Sequence, residues 1–390
     1  MDDPLTQLGE LAAAAIMRAK QLAIDLVTED HDSIPRLDRL LQHERRLVLG
    51  QQQTEALPLA DCYGAWLGDW VVRRLGGRWI GIHEPVPPRV DVDGLVLSPI
   101  DAVRRILVGA PAAATITEIA RQLTAWRDRA ARDREQADRF NRAAWDRLDD
   151  DRRFVATGTY PPDRSAALAA IDPWLRDEPL VGREVLCLAA GGGLHGPLFA
   201  IAGAHVTVLD LSPIQLDHDR RFCDKTGITM RLIEGSLTRL DELEPNRFDL
   251  IVQPVSSSYI ADLTPMFAAI ATTLRPGGIY VSQHKHPASL QIGFEPLDEP
   301  SGGGYPVSLP LISGLRLPAA SGGCAEQIRE PGAAEFLHSI DAILGGICRA
   351  GMVIEAVAEP PRGDAFAPPG SAEHRAIYAP TYLKVKARRG

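Results

Sequence analysis

The chain is poor in cysteine, in aromatic residues and in uninterrupted apolar runs, and it lacks a surplus of basic charge. Five cysteines stand in 390 residues, Cys62, Cys187, Cys223, Cys324 and Cys348, and none forms a C-x-x-C pair. An odd, widely spaced set gives neither a disulfide framework nor a zinc site, so no metal is expected and a reducing compartment fits. No apolar stretch approaches the ~20 residues that a membrane span needs, and the first residues are acidic rather than basic. The expectation is a cytoplasmic protein with no membrane partner. A formal net charge of −9 argues against general nucleic-acid binding, which needs clustered Lys and Arg. Arg73, Arg74 and Arg78 read as a solvated helix end.

What the chain does have is concentrated between Arg183 and Gln215. Val185 to Leu188 form a short apolar run of the kind expected from a parallel strand buried on both faces. Three glycines follow, Gly191, Gly192 and Gly193, where the backbone can turn sharply and a ligand can lie against it. Leu194 to Ala202 read as a helix whose first N–H groups point back at the loop, with Pro197 tolerable only in its first turn. Gly203 ends that helix. His205 to Asp210 then read as a second strand closing on an acid, placed to accept hydrogen bonds from a ribose diol. Gly191, Gly193 and Gly196 satisfy G-x-G-x-x-G, and Asp210 lies near the spacing that the dinucleotide fingerprint asks of its acid.

This stretch resembles the cofactor region of class I S-adenosylmethionine-dependent methyltransferases, whose loop reads acid-x-Gly-x-Gly-x-Gly. Ala189, Gly191 and Gly193 take the glycine places and Cys187 takes the acid's. The resemblance implies S-adenosylmethionine as cofactor, Asp210 on the ribose and Leu211 over the adenine. It also implies contacts from Gly235, Ser236 and Leu237 at the end of a third strand, with Ser236 where an acid is common. It covers about residues 140 to 390 and carries an L-R-P-G-G turn, Leu274 to Gly278. The implied fold is α/β, a Rossmann-like, mostly parallel seven-stranded sheet with an antiparallel last strand.

The strand Leu250 to Val255 ends at Gln253, which by the carboxyl-end rule for open sheets faces the ligands. Beyond the fifth strand come His284, Lys285 and His286. His284, with Tyr259 on a strand-end loop, is the candidate proton acceptor, and His286 a substrate contact. Tyr160, in the segment before the first strand, is a candidate lid residue.

The organisation reads as an N-terminal α+β domain, 1–113, a helical linker or lid, 114–164, and the methyltransferase-like domain, 165–390, with a loop insertion near 291–333. Helical faces are expected over residues 4–28 and 34–48, the second using Leu37, Leu40, Leu41 and Leu47. Asp93-Gly94 marks a hairpin, and Trp66, Trp70 and Trp79 a core cluster. The function expected is methyl transfer to a small-molecule acceptor, at oxygen or nitrogen. Self-association through the N-terminal helices is a further expectation. Two other readings stay open on the residues alone: a nicotinamide-dependent oxidoreductase using G-x-G-x-x-G, and a non-enzymatic cofactor-binding scaffold.

Overall fold

A computed structural model describes residues 3–50, 56–84, 86–109, 115–148, 160–297, 304–320 and 328–390. The chain divides into two compact units, Met1–Arg132 and Asp133–Gly390. Pro85, Cys324 and parts of the 114–164 and 291–333 segments lie outside the described residues.

In the first unit, α1 (Pro4–Gln21), α2 (Ser33–Gly50), α3 (Ala56–Leu75) and α4 (Pro99–Val108) enclose one core with a small antiparallel sheet. The sheet runs β1 (Arg78–Ile80), β2 (Arg89–Val92) and β3 (Leu95–Leu97). The β2–β3 turn is built on Asp93 and Gly94, both at positive φ, as the hairpin reading expects. α1 is shorter than the 4–28 periodicity suggests. Ala23, at φ 56°, stops it, with Ala23 N–H donating to Lys20 O and Ile24 N–H to Ala19 O, a Schellman ending without glycine.

On α2, Leu37, Leu40 and Leu41 are buried as expected, but Leu47 is exposed and Val48 takes the inner place. The helical period explains this: eleven residues from Leu37 return to its face, ten do not. The buried position between them is Glu44, which accepts from Arg18 Nε at 2.6 Å and from the Tyr63 hydroxyl at 3.1 Å. The Glu44 carboxyl is held below its ordinary range, burial being outweighed by these partners. Trp66 and Trp70 are fully buried in this core.

The helix α5 (Ile116–Arg147) contains the division between the units. Past it, the second unit is a seven-stranded sheet flanked by helices, its strands β4 (Glu184–Leu188), β5 (His205–Asp210), β6 (Arg231–Glu234), β7 (Phe248–Gln253), β8 (Leu274–Lys285), β11 (Met352–Ala358) and β12 (Tyr382–Arg389). The order is β11-β12-β8-β7-β4-β5-β6. Only β12 runs against the rest, inserted antiparallel between β8 and β11. Two cores flank the sheet because successive side chains of a strand point to opposite faces: Leu186 and Leu188 to one, Val185 and Cys187 to the other. α6 (Arg164–Ala170) precedes β4, the first strand of this sheet, the crossover helices near the glycines are α7 (His195–Ile201) and α8 (Pro213–Thr226), and α9 (Thr264–Thr273) and α10 (Pro287–Gln291) follow.

The insertion is not wholly irregular. Leu315–Arg316 (β9) pairs antiparallel with Phe336–Leu337 (β10), and a π-helical turn, Asp341–Gly345, follows.

Where α3 crosses α4, Gly64 leaves no room: a Cβ there would lie 2.4 Å from Ile100 Cα. Gly64→Ala should therefore destabilise the first unit by about 1–3 kcal/mol, read as a lowered midpoint in thermal or urea unfolding.

Candidate active site

A cavity of about 440 Å³ opens at the carboxyl ends of β4, β5 and β7, the position expected of a ligand site in an open α/β sheet. Ala189, Gly191, Gly193, Asp210, Leu211, Gly235, Ser236, Leu237 and Tyr259 all line it.

Its floor is main chain. Ala189 stands at φ 47°, the left-handed region that glycine adopts freely and alanine reluctantly, so the residue departs from the glycine pattern while its conformation does not. Gly191 N–H donates to Asp210 Oδ2 and Ser212 N–H to Asp210 Oδ1, each at 2.9 Å. A Cβ on Gly191 would lie 3.0 Å from the Asp210 side chain, so the loop can approach the acid this closely only without one. Burial pushes the Asp210 carboxyl up, and the backbone N–H groups of Ser212, Gly191 and Leu211 oppose it. Gly192, at φ 72°, turns away and donates to Asp219 Oδ2 on α8 at 2.9 Å.

The last turns of α5 bring Asp138, Asn141 and Trp145 to the cavity. Three bonds tie this segment to the sheet ends: Ser212 Oγ to Asp146 at 2.5 Å, Gln215 Nε2 to Trp145 O at 3.1 Å and Arg142 to Glu234 at 2.5 Å. Asn141 is satisfied on both sides, donating to Tyr259 O at 3.0 Å and accepting from Ala334 N–H at 2.7 Å. The resemblance places this segment as a lid over the cofactor cleft, but its charged helical periodicity does not mark Asp138, Asn141 or Trp145 individually.

The remaining wall is a buried charge cluster that sequence reasoning missed. Lys285 Nζ donates to Glu330 at 2.6 Å and also to Glu335, which in turn pairs with Arg329. Lys285, Glu330, Tyr259 and Tyr382 all face the cavity. The Tyr259 phenol is influenced by the Glu330 carboxylate, Lys285 Nζ stands 5.7 Å from the Tyr259 ring centre, and Trp145 meets that ring edge-on at 5.7 Å. Burial lifts the Glu330 carboxyl against the pull of Lys285, and lifts the Tyr259 phenol far above its ordinary value. The Tyr259 phenol is thus held in its neutral form.

Four expected site residues do not line this cavity. His284 is fully buried with both ring nitrogens engaged, Nδ1 with Ser257 Oγ at 2.7 Å and Nε2 with Ser282 Oγ at 2.8 Å. Burial brings its pKa down to about 3, so it is a neutral, satisfied core histidine and not a proton acceptor. The period of two on β8 separates His284 from Lys285, and the cavity lies on the lysine's side. Gln253, 1% exposed, spends its amide on Ser256 and Tyr280. His286 caps α10, accepting from Ala288 N–H at 3.1 Å, and pairs with Glu359 at 3.0 Å. Tyr160 packs on Phe222, ring centres 4.6 Å apart. His195, the first residue of α7, does face the cavity, and burial keeps its imidazole neutral.

Residues 185–278 match the family model described as methyltransferase domain. An uncharacterized methyltransferase, YbaJ of Bacillus subtilis (strain 168), is 33% identical over 176 residues, which cover 45% of this chain and 68% of that protein. The chain belongs to the class I S-adenosylmethionine-dependent methyltransferases. This methyltransferase is also 27% identical over 112 residues to a ubiquinone biosynthesis O-methyltransferase of Aeromonas salmonicida, covering 28% of this chain and 47% of the relative, about half its length. A solved S-adenosylmethionine-dependent methyltransferase from Mesorhizobium loti aligns with 26% identity and a TM-score of 0.43, over 57% of this chain and 96% of that one. S-adenosylmethionine is the cofactor of the family, and the residues present fit it: a cavity floored by bare main chain with an acid at its edge. No helix among the described residues is long and apolar enough to cross a membrane.

Removing one member of the Lys285 cluster leaves the others buried and uncompensated. Lys285→Met should cost about 3–5 kcal/mol of stability, measured by urea unfolding, whereas truncating the exposed Arg239 or Arg220 should change it by less than about 0.5 kcal/mol.

Proposed function

We propose that this methyltransferase moves the cofactor's methyl group to a small molecule, with Asp210 receiving the ribose hydroxyls and Leu211, Gly235, Ser236 and Leu237 holding the adenine. The acceptor then sits at the wall made by Trp145, Tyr259, Lys285, Glu330 and Tyr382. The observation that carries this is the continuity of one cavity from the glycine loop to that charged and aromatic wall. Its volume lies in the range of roughly 300–1,000 Å³ that holds drug-sized ligands, which suits a cofactor with a modest partner better than a macromolecular chain.

The bound cofactor supplies an electrophilic methyl on a sulfonium, a leaving group already activated. What the protein adds is alignment, exclusion of water and a place for a proton. An oxygen acceptor must give up its proton as the new bond forms. Glu330 supports that choice, because it is the carboxylate at the acceptor wall of the cavity, with the Tyr259 phenol interacting with it and Lys285 fixing its position. The name of the Aeromonas relative, an O-methyltransferase, agrees with an oxygen acceptor. Glu330 would take the acceptor's hydroxyl proton as that oxygen bonds the methyl group, which the bound cofactor would supply from its sulfonium while being left as the neutral thioether.

Calorimetry with S-adenosylhomocysteine should show binding that weakens at least tenfold in Asp210→Ala, as the loss of a charge-assisted pair of hydrogen bonds costs roughly 1.5–3 kcal/mol, and NADH should give no signal. With methyl-labelled cofactor and a panel of simple phenols, alcohols and amines, label should enter hydroxyl compounds. Glu330→Gln should slow that transfer about a hundredfold or more while homocysteine-cofactor affinity changes less than threefold. Label appearing in protein or nucleic acid instead would show the assignment of a small acceptor to be wrong.

A further inference from the structure

We propose that Asp219, on α8, is the positioning residue of the glycine loop, supplying as an anion the carboxylate that the loop lacks at Cys187. The inference rests on the family's cofactor occupying the cavity described above. Asp219 is 1% exposed and lies behind the loop rather than in the cavity. Its Oδ2 accepts the Gly192 N–H at 2.9 Å, at the residue whose φ of 72° reverses the chain between Gly191 and Gly193. Those two neighbours line the cavity, so the orientation of Gly192 sets theirs. α8 is packed hard against this point: a Cβ on Gly192 would lie 2.6 Å from Gln215 Oε1, one helical turn before Asp219.

The surroundings of Asp219 make a carboxylate there an expensive choice. Among the described residues, the titratable groups that act on it or feel its charge are Asp210 at the end of β5, Cys187 on β4, Cys223 on its own helix and Tyr160, all of them acids. Its second oxygen, Oδ1, has no hydrogen-bond partner among the described residues. Burial and Asp210 lift its pKa to about 7. An acid whose folded pKa exceeds its unfolded one favours folding below the unfolded value and loses that contribution as pH rises through the folded value. Above pH 7 the ionised Asp219 therefore works against stability. Asparagine would accept the same N–H without that penalty, so a purely structural role does not call for an acid. An anionic acceptor makes the Gly192 bond charge-assisted and therefore stronger than a bond to a neutral amide, which holds the loop in one form.

The test is calorimetry with S-adenosylhomocysteine on the full chain, native and with Asp219→Asn and Asp219→Ala, between pH 6 and pH 8, alongside thermal unfolding. Native affinity should rise several-fold as pH passes through about 7. Asp219→Asn should match the native protein at pH 6, bind several-fold more weakly at pH 8, show no slope between them and melt higher than native at pH 8. Asp219→Ala should lose tenfold or more at every pH. Equal affinity of Asp219→Asn and native at pH 8 would overturn the proposal by showing that shape alone suffices. A pH slope that persists in Asp219→Asn belongs to Asp210 and would overturn it as well. Should Asp219→Ala fail to fold, the asparagine variant decides alone. A native protein that does not bind the ligand would remove the cofactor assignment itself, a result distinguishable from the others because no variant is then needed to obtain it.

Discussion

Everything in the second unit turns on how near two backbone segments can come to one acid. Asp210 receives an N–H from the glycine loop on one oxygen and from the start of α8 on the other. That closeness is open only to a residue without a Cβ at position 191. The parallel pairing of β4 with β5 sets the distance between the loop and the acid, and the two apolar cores on either face of the sheet hold that pairing. A hydrophobic sheet thus fixes a polar geometry at the end of one of its own strands. The cost of bringing a carboxylate out of water is offset by N–H groups that the turn leaves without other partners.

The same economy appears at the opposite wall, in a different form. There the polar groups are side chains, two cations against two carboxylates, arranged so that each charge is matched before a ligand arrives. Such a cluster contributes little net stability compared with an apolar filling, but it fixes where a carboxylate and a phenol stand. One end of the cavity is therefore specified by conformation and the other by charge.

The parts legible in the sequence were those whose physics is local. The run of apolar residues in β4, the glycines, the acid closing β5 and the L-R-P-G-G stretch that opens β8 each depend on neighbours in the chain, and the expected cofactor-side residues line the cavity with the exception of Gln253. The acceptor wall was not legible, because its members come from β8, the insertion and β12 and meet only through the fold. The reading of residues 284–286 chose the two histidines as the striking pair. Strand periodicity put them on the face away from the ligand, with the less conspicuous Lys285 towards it. Leu47 failed for a related reason: a count of apolar residues does not see that Glu44, a charge, completes the buried face of α2.

Ala189 shows what a recognition surface built from peptide groups implies for the history of such a protein. Ala189 holds a torsion angle suited to the glycine of the resembled pattern, and Cys187, at the place of that pattern's acid, sits in a strand that pairs regularly with its neighbour. What is passed on at such positions is a path through space, and many spellings can trace the same path. Comparison by identity will then understate kinship at the binding loop itself, and changes of ligand preference must come from residues that move the main chain from a distance.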